Sequence, residues 1–152
     1  MKRFIFPMII LCAALFVVIG CSNEKAIEKT IADWTSAINA PDASTSYDAI
    51  YDVLSPDSDY YDPVNIQNLV NYFTNFTPVS YVLGDMNIDN PYADVLADAT
   101  YADIPNAAKF VMKKKQGFFS FLAPEWNVYK YFDNALFVPD QDEVWRKLKK
   151  QP

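Results

Sequence analysis

Between Ile27 and Phe132 the hydrophobic period of this chain changes once, at Pro78, and no other feature constrains its fold as strongly. Ahead of that proline, apolar residues recur at helical spacing. Ile27, Ile31, Trp34 and Ile38 fall at i, i+4, i+7 and i+11, one stripe of an amphipathic helix. Glu24, Glu28 and Lys29 lie on other faces, with both acids in the first turn, where the helix dipole favours them. Asn39-Ala40-Pro41-Asp42 ends this helix, because Pro41 cannot continue it. A shorter second helix is predicted over about Ser46–Leu54, with Tyr47, Ile50, Tyr51 and Leu54 on one face. Asp62-Pro63 reads as an N-cap followed by proline at the first helical position. The third helix it opens carries Ile66, Leu69, Val70 and Phe73 on one face and closes before Pro78.

After Pro78 the period is two. Val79, Tyr81 and Leu83 alternate with Ser80, Val82 and Gly84, which predicts a strand. Asn90-Pro91 marks a turn. Tyr92–Ile104 alternates again, and Pro105-Asn106 is expected to turn the chain into a strand over Lys109–Lys115. There Phe110 and Met112 oppose Val111. Gln116-Gly117 is a hairpin-tip signal, and Trp126–Phe132 follows as another strand. Gly84 suits a bulge, and Gly117 a position where positive φ is useful. In the tail, Asp140-x-x-Glu143 resembles a capping box before Val144, Trp145 and Leu148, so a short C-terminal helix is expected.

Helices first and antiparallel strands after give an α+β domain, with the helices packed on one face of the sheet. Residues 26–152 are expected to form that single domain. The charge along it is uneven. Between Thr30 and Ala108 there are twelve Asp and no Lys or Arg, whereas Lys109–Pro152 holds nine basic and five acidic residues. Over 21–152, eleven basic against nineteen acidic residues give a formal −8. That balance argues against nucleic acid as a partner, since duplex affinity rests on Lys and Arg neutralising phosphates.

Residues 1–20 have a different character. Lys2 and Arg3 precede an apolar run, and from Phe4 to Gly20 there are 17 residues with Pro7 inside. That is short of the ~20 needed to span a bilayer. The run ends Val18-Ile19-Gly20-Cys21, which resembles the lipobox of bacterial lipoprotein signal peptides. The resemblance implies cleavage before Cys21 and thioether lipidation of its sulfur, with acylation of the new amino group. Residues 21–25 would then be a short lipidated tether. Two or three fatty chains anchor a protein stably where one does not. The resemblance places the domain in the cell envelope, on the outer membrane facing the periplasm if the host has one, because Ser22 is not the Asp of inner-membrane retention.

The order of elements also resembles the nuclear transport factor 2-like superfamily, in which a long first helix and shorter ones lean on a curved sheet to form a cone. Ile31-Ala32-Asp33-Trp34-Thr35-Ser36-Ala37-Ile38-Asn39, together with Ala49-Ile50-Tyr51-Asp52-Val53-Leu54-Ser55, is similar to the opening of small bacterial lipoproteins in that superfamily. Trp126-Asn127-Val128-Tyr129-Lys130-Tyr131 resembles its final strand. The region between Pro105 and Pro124 and the tail beyond Phe132 depart from the pattern. The resemblance implies a cavity, which some members, ketosteroid-isomerase-like and polyketide-cyclase-like, use for catalysis through an Asp or Tyr.

The residues themselves argue for binding rather than catalysis. The chain has no His, and its two cysteines are Cys12, inside the signal, and Cys21. The usual general base, zinc ligand and nucleophile pairs are missing. Asp57-x-Asp59-x-x-Asp62 crowds three carboxylates but fits no EF-hand loop, and is read as turn and cap chemistry. No metal or cofactor is expected. Asp85, Asp94, Asp98 and Tyr101 lie on predicted strands, with Asp94 and Asp98 on one face and Tyr101 on the other. The least conventional stretch is Lys113-Lys114-Lys115 followed across Gly117 by Phe118, Phe119 and Phe121. It is read as a possible docking loop for lipid head groups or a partner. The expected role is a membrane-anchored envelope protein that binds a protein or small apolar ligand without chemistry. A cavity enzyme and a structural envelope component are the alternatives.

Overall fold

The computed structural model describes residues 23–117 and 124–133. Three helices precede a four-stranded antiparallel sheet, so the α+β class and its order are as the period change predicts. Helix α1 covers residues 23–38, and its stripe Ile27, Ile31, Trp34 and Ile38 is buried. Its described span is tied to the sheet at both limits. At the N-terminal end, Trp126 Nε1 donates to Asn23 Oδ1 at 3.3 Å, and Thr30 Oγ1 donates to the Trp126 carbonyl at 2.8 Å. At the other end the Asn39 side chain donates to Val79 O at 2.7 Å and accepts from Val79 N at 2.8 Å.

Helix α2 runs Ala43–Val53, three residues ahead of the predicted start. The cause is Asp42, whose side chain accepts from Thr45 N at 2.8 Å and caps the helix as soon as Pro41 has passed. Those hydrogen bonds, from the Thr45 backbone first and then Ser44 and the Thr45 hydroxyl, lower the Asp42 carboxyl to about 2. On this helix Ile50 is buried, but Tyr51 is exposed and stacks on Tyr61, with ring centroids 4.6 Å apart. Helix α3, Pro63–Thr74, starts as Asp62-Pro63 predicts, with Asp62 accepting from Val64 N and Asn65 N. Its face of Ile66, Leu69, Val70 and Phe73 is buried.

The strands are β1 Val79–Asp89, β2 Tyr92–Tyr101, β3 Ile104–Lys114 and β4 Trp126–Asp133, in the spatial order β1-β2-β3-β4. Two sequence expectations fail at the β2–β3 connection. Ile104 does not continue β2, and Pro105-Asn106 does not turn. The turn is Ala102-Asp103, with φ of 45° and 69°, and Tyr101 faces Ile104 across it. Two left-handed residues in succession give a hairpin whose twist matches the strands. Pro105 is tolerated inside β3 because the β3–β4 pairing reaches only Ala108, so among the described residues Pro105 has no neighbour on that side. Gly117 is not at positive φ either, nor is any other glycine among the described residues. Gly84 does mark a bulge, since the β1–β2 register shifts between Leu83 and Met86.

The inner sheet face meets the helices in cross-strand rows. One row is Met86, Val95, Phe110 and Tyr131; the next is Leu83, Ala97, Ala108 and Asp133. Small side chains at Ala93, Ala97 and Ala99 of β2 leave room for large ones from the helices. Trp34 fills that room, 5.3 Å from the Tyr131 ring and edge-on to Phe73 and Phe110 at 5.9 and 6.3 Å. Each such fully buried side chain contributes roughly 2–3 kcal/mol. The outer face is mixed. Val82 and Leu96 are exposed there beside Asp98 and an Asp94–Lys109 ion pair of 3.4 Å. The β4 edge is covered by the chain after α2: Ser55 N donates to Val128 O at 2.8 Å, and Leu54 bridges Val128 in parallel. The expected helix around Val144 and Leu148 lies outside the described residues. No described helix is long and apolar enough to cross a membrane.

Candidate functional site

At the C-terminal end of β4 a polar cluster is built into the apolar core. Asp133 is fully buried. Its carboxyl accepts from the Tyr72 hydroxyl of α3 at 3.0 and 3.1 Å, and from the Tyr101 hydroxyl of β2 at 2.8 Å. The Tyr131 hydroxyl lies 3.4 Å from the same carboxyl. That hydroxyl also shares hydrogen bonds with Tyr101 and, at 2.8 Å, with Tyr81 of β1. Tyr60 closes the far side by donating to the Tyr131 carbonyl at 3.2 Å. The Trp34 indole N–H, buried nearby, has no hydrogen-bond partner in good geometry among the described residues. It is near enough to Tyr81 to favour that phenol's ionised form.

Burial is the main influence on these phenols. It pushes Tyr81 up to about 12, against the lowering by Tyr131, Trp34 and Tyr101. Burial likewise holds Tyr72, Tyr101 and Tyr131 well above the ordinary tyrosine range; Tyr81 adds to it at all three and Asp133 at Tyr72 and Tyr101, against a lowering of Tyr101 by its hydrogen bond with Tyr131. All four are therefore protonated donors near neutral pH. Such donors can stabilise a negatively charged oxygen. Here they are directed at one another and at Asp133.

Asp133 was not a sequence candidate, and the reason is a bulge. Val111 pairs with Lys130 while Met112 pairs with Val128, so Tyr129 is an extra residue on β4. Alternation counted from Trp126 and Val128 would point Lys130 and Phe132 inward. The bulge inverts it and turns Tyr131 and Asp133 in. A carboxylate ending an otherwise aromatic strand was the available signal.

The sequence candidates separate. Tyr101 joins the cluster, whereas Asp94 and Asp98 lie on the outer face and Asp85 is exposed at the bulge of β1. Asp57, Asp59 and Asp62 do not converge: Asp57 pairs with Lys113, Asp59 with Lys130 at 3.6 Å, and Asp62 caps α3. Among the described residues no three His, Cys, Asp or Glu side chains are grouped as a metal would need. Val18, Ile19, Gly20 and Cys21 lie outside the described residues, as do Phe118, Phe119 and Phe121.

Lys113 and Lys114 end β3, Lys115 follows, and together they line a groove of about 300 Å³ with Ser55, Asp57 and Asn127. The hydrogen bond to Asp57 raises the Lys113 pKa. Its Nζ lies 5.7 and 5.4 Å from the Tyr92 and Tyr129 ring centroids. Lys115 pairs with Glu125 at 2.9 Å. The groove and the tyrosine cluster occupy opposite ends of β4, since Lys114 faces Trp126 and Asp133 is the last residue of that strand. No protein-family model matches the chain, and no curated protein matches it in sequence.

Proposed function

We propose that this chain is a lipid-anchored cell-envelope lipoprotein whose α+β domain, a nuclear transport factor 2-like cone, binds a partner without catalysing a reaction. The observation that carries the non-catalytic reading is the arrangement of the buried polar centre. The hydroxyls of Tyr72, Tyr101 and Tyr131 are satisfied by Asp133 and by each other, and Trp34 packs against Tyr131 where a cone would hold a ligand. The packing of Trp34 on Tyr131 favours a protein bound at the surface over a small apolar ligand held inside. The lipobox supports the anchor, with lipid attached through Cys21.

Cys21→Ser tests the anchor. The variant should lose incorporation of radiolabelled fatty acid and accumulate as uncut precursor. Processing and membrane partitioning equal to wild type would overturn the anchor. A second reading, a cavity enzyme of the ketosteroid-isomerase kind, is favoured by one observation: a fully buried carboxyl ringed by tyrosine hydroxyls. Turnover of an ester or steroid-like substrate by the purified protein, abolished by Asp133→Asn in a variant that keeps its circular dichroism, would replace the non-catalytic reading.

A further inference from the structure

The lysine groove stands at the end of the domain that carries residue 23, the first described residue of α1. Lys114 pairs with Trp126 in the β3–β4 ladder, and its Nζ lies 6.0 Å from the Trp126 ring centroid. The indole of Trp126 donates to Asn23 at 3.3 Å. One aromatic side chain therefore separates Lys114 from residue 23. Cys21 is two residues further back, and two residues of extended chain reach at most about 7 Å. Whatever holds Cys21 holds the lysines close to the same surface.

We infer that Lys113, Lys114 and Lys115, with Ser55 and Asn127 beside them, form a seat for the phosphate of an anionic lipid head group, and that it orients the anchored domain on the bilayer. The inference rests on the lipid-anchored reading. Lys113 pairs with Asp57 on the outer side of β3 and Lys115 with Glu125, whereas Lys114 turns to the helix side over Trp126 and has no carboxylate partner among the described residues. That leaves a local positive surplus in a chain whose residues 31–108 carry no basic side chain. A lysine is a point charge suited to phosphate, and Ser55 and Asn127 line the groove beside these lysines. The Trp126 ring under Lys114 holds the ammonium in place by cation–π attraction. Steering by a short tether then needs only a few such contacts, because the anchor already keeps the groove at high local concentration.

Amine footprinting of the lipidated protein reconstituted in vesicles tests this. One set of vesicles is phosphatidylcholine alone; the other contains about a third phosphatidylglycerol, which gives the surface its negative potential. Lys114 and Lys115 should be protected several-fold on the anionic vesicles only. Lys109, about 16 Å back along β3, should react equally on both. Protection should vanish near 1 M salt, where the screening length is about 3 Å. Lys114→Gln should weaken the protection of Lys115 about fivefold, and Lys114→Arg should restore it. Equal reactivity on the two vesicle types, or protection unaffected by Lys114→Gln, would overturn the seat. Equal protection by soluble glycerol phosphate on neutral vesicles would also overturn it, because the ligand would then be a free phosphate ester. The intact mass separates the two claims. If Cys21 carries no lipid the anchor fails, and the full-length chain mixed with the same vesicles still decides the seat by the same protection.

Discussion

The Tyr72 hydroxyl sits between the two carboxyl oxygens of Asp133, 3.1 Å from one and 3.0 Å from the other, and so ties α3 to the last residue of β4. Hydrogen bonds to a carboxylate are worth more than neutral ones, about 1.5–3 kcal/mol. Tyr72→Phe removes this donor while keeping the ring packed against Phe73 and Phe76. The variant should lose about 1–3 kcal/mol in urea unfolding, with an unchanged slope. A loss within error of zero would mean that Asp133 does not depend on Tyr72.

Alkaline pH should unfold the domain. Burial raises Tyr81 to about 12 from an ordinary value near 10. The unfolded chain therefore releases this proton first, and stability falls as pH rises. Tyr81's contribution is complete below about pH 10 and is lost by about pH 12, roughly 3 kcal/mol across that window. Tyr72, Tyr101 and Tyr131, displaced in the same direction, steepen the fall. Phenolate absorbance followed beside circular dichroism checks this. Part of the tyrosine signal should appear only together with unfolding.

Much of this architecture is legible in the sequence because periodicity and proline report local geometry. The stripe from Ile27 to Ile38, the Asp62-Pro63 start and the alternation after Pro78 all fold as their spacing says. What escapes is any feature fixed by a partner strand. Ala102-Asp103 carries weak turn chemistry and is driven left-handed by the pairing of Tyr101 with Ile104. The extra residue at Tyr129 is invisible until β3 lies alongside, and it decides that Tyr131 and Asp133 face the core. The polar cluster was hidden for that reason: its residues come from α3, β1, β2 and β4, and only their register joins them.

Ala102 sits at φ 45°, where a Cβ is unfavourable by about 1–2 kcal/mol. Glycine removes that penalty but makes the unfolded chain more flexible, at about 0.4–1 kcal/mol. Ala102→Gly should therefore raise stability by about 0.5–1 kcal/mol, read as a higher urea midpoint. A lowered midpoint would show that the turn holds Ala102 without strain.

Asp62 distinguishes capping from metal ligation in the acidic loop. As an N-cap, Asp62→Ala should destabilise the domain by about 1 kcal/mol, and Asp62→Asn much less, because Asn caps as well as Asp. A wild-type melting temperature that rises with added Ca²⁺, and an Asn variant that loses the rise, would contradict the capping account.

Asn39 bonds both backbone groups of Val79, and Asn23 and Thr30 bond Trp126, so the described span of α1 is fastened at both limits to strands on opposite margins of the sheet. A mechanical load applied to the chain ahead of residue 23 enters the domain at Trp126 and must peel the first helical turns away from β4 before the Trp34 packing is strained. The domain would give way from its N-terminal side one contact at a time, as a zipper opens, rather than by shearing all at once. In a single-molecule pulling trace this means a low, gradual rupture when the force comes from that side.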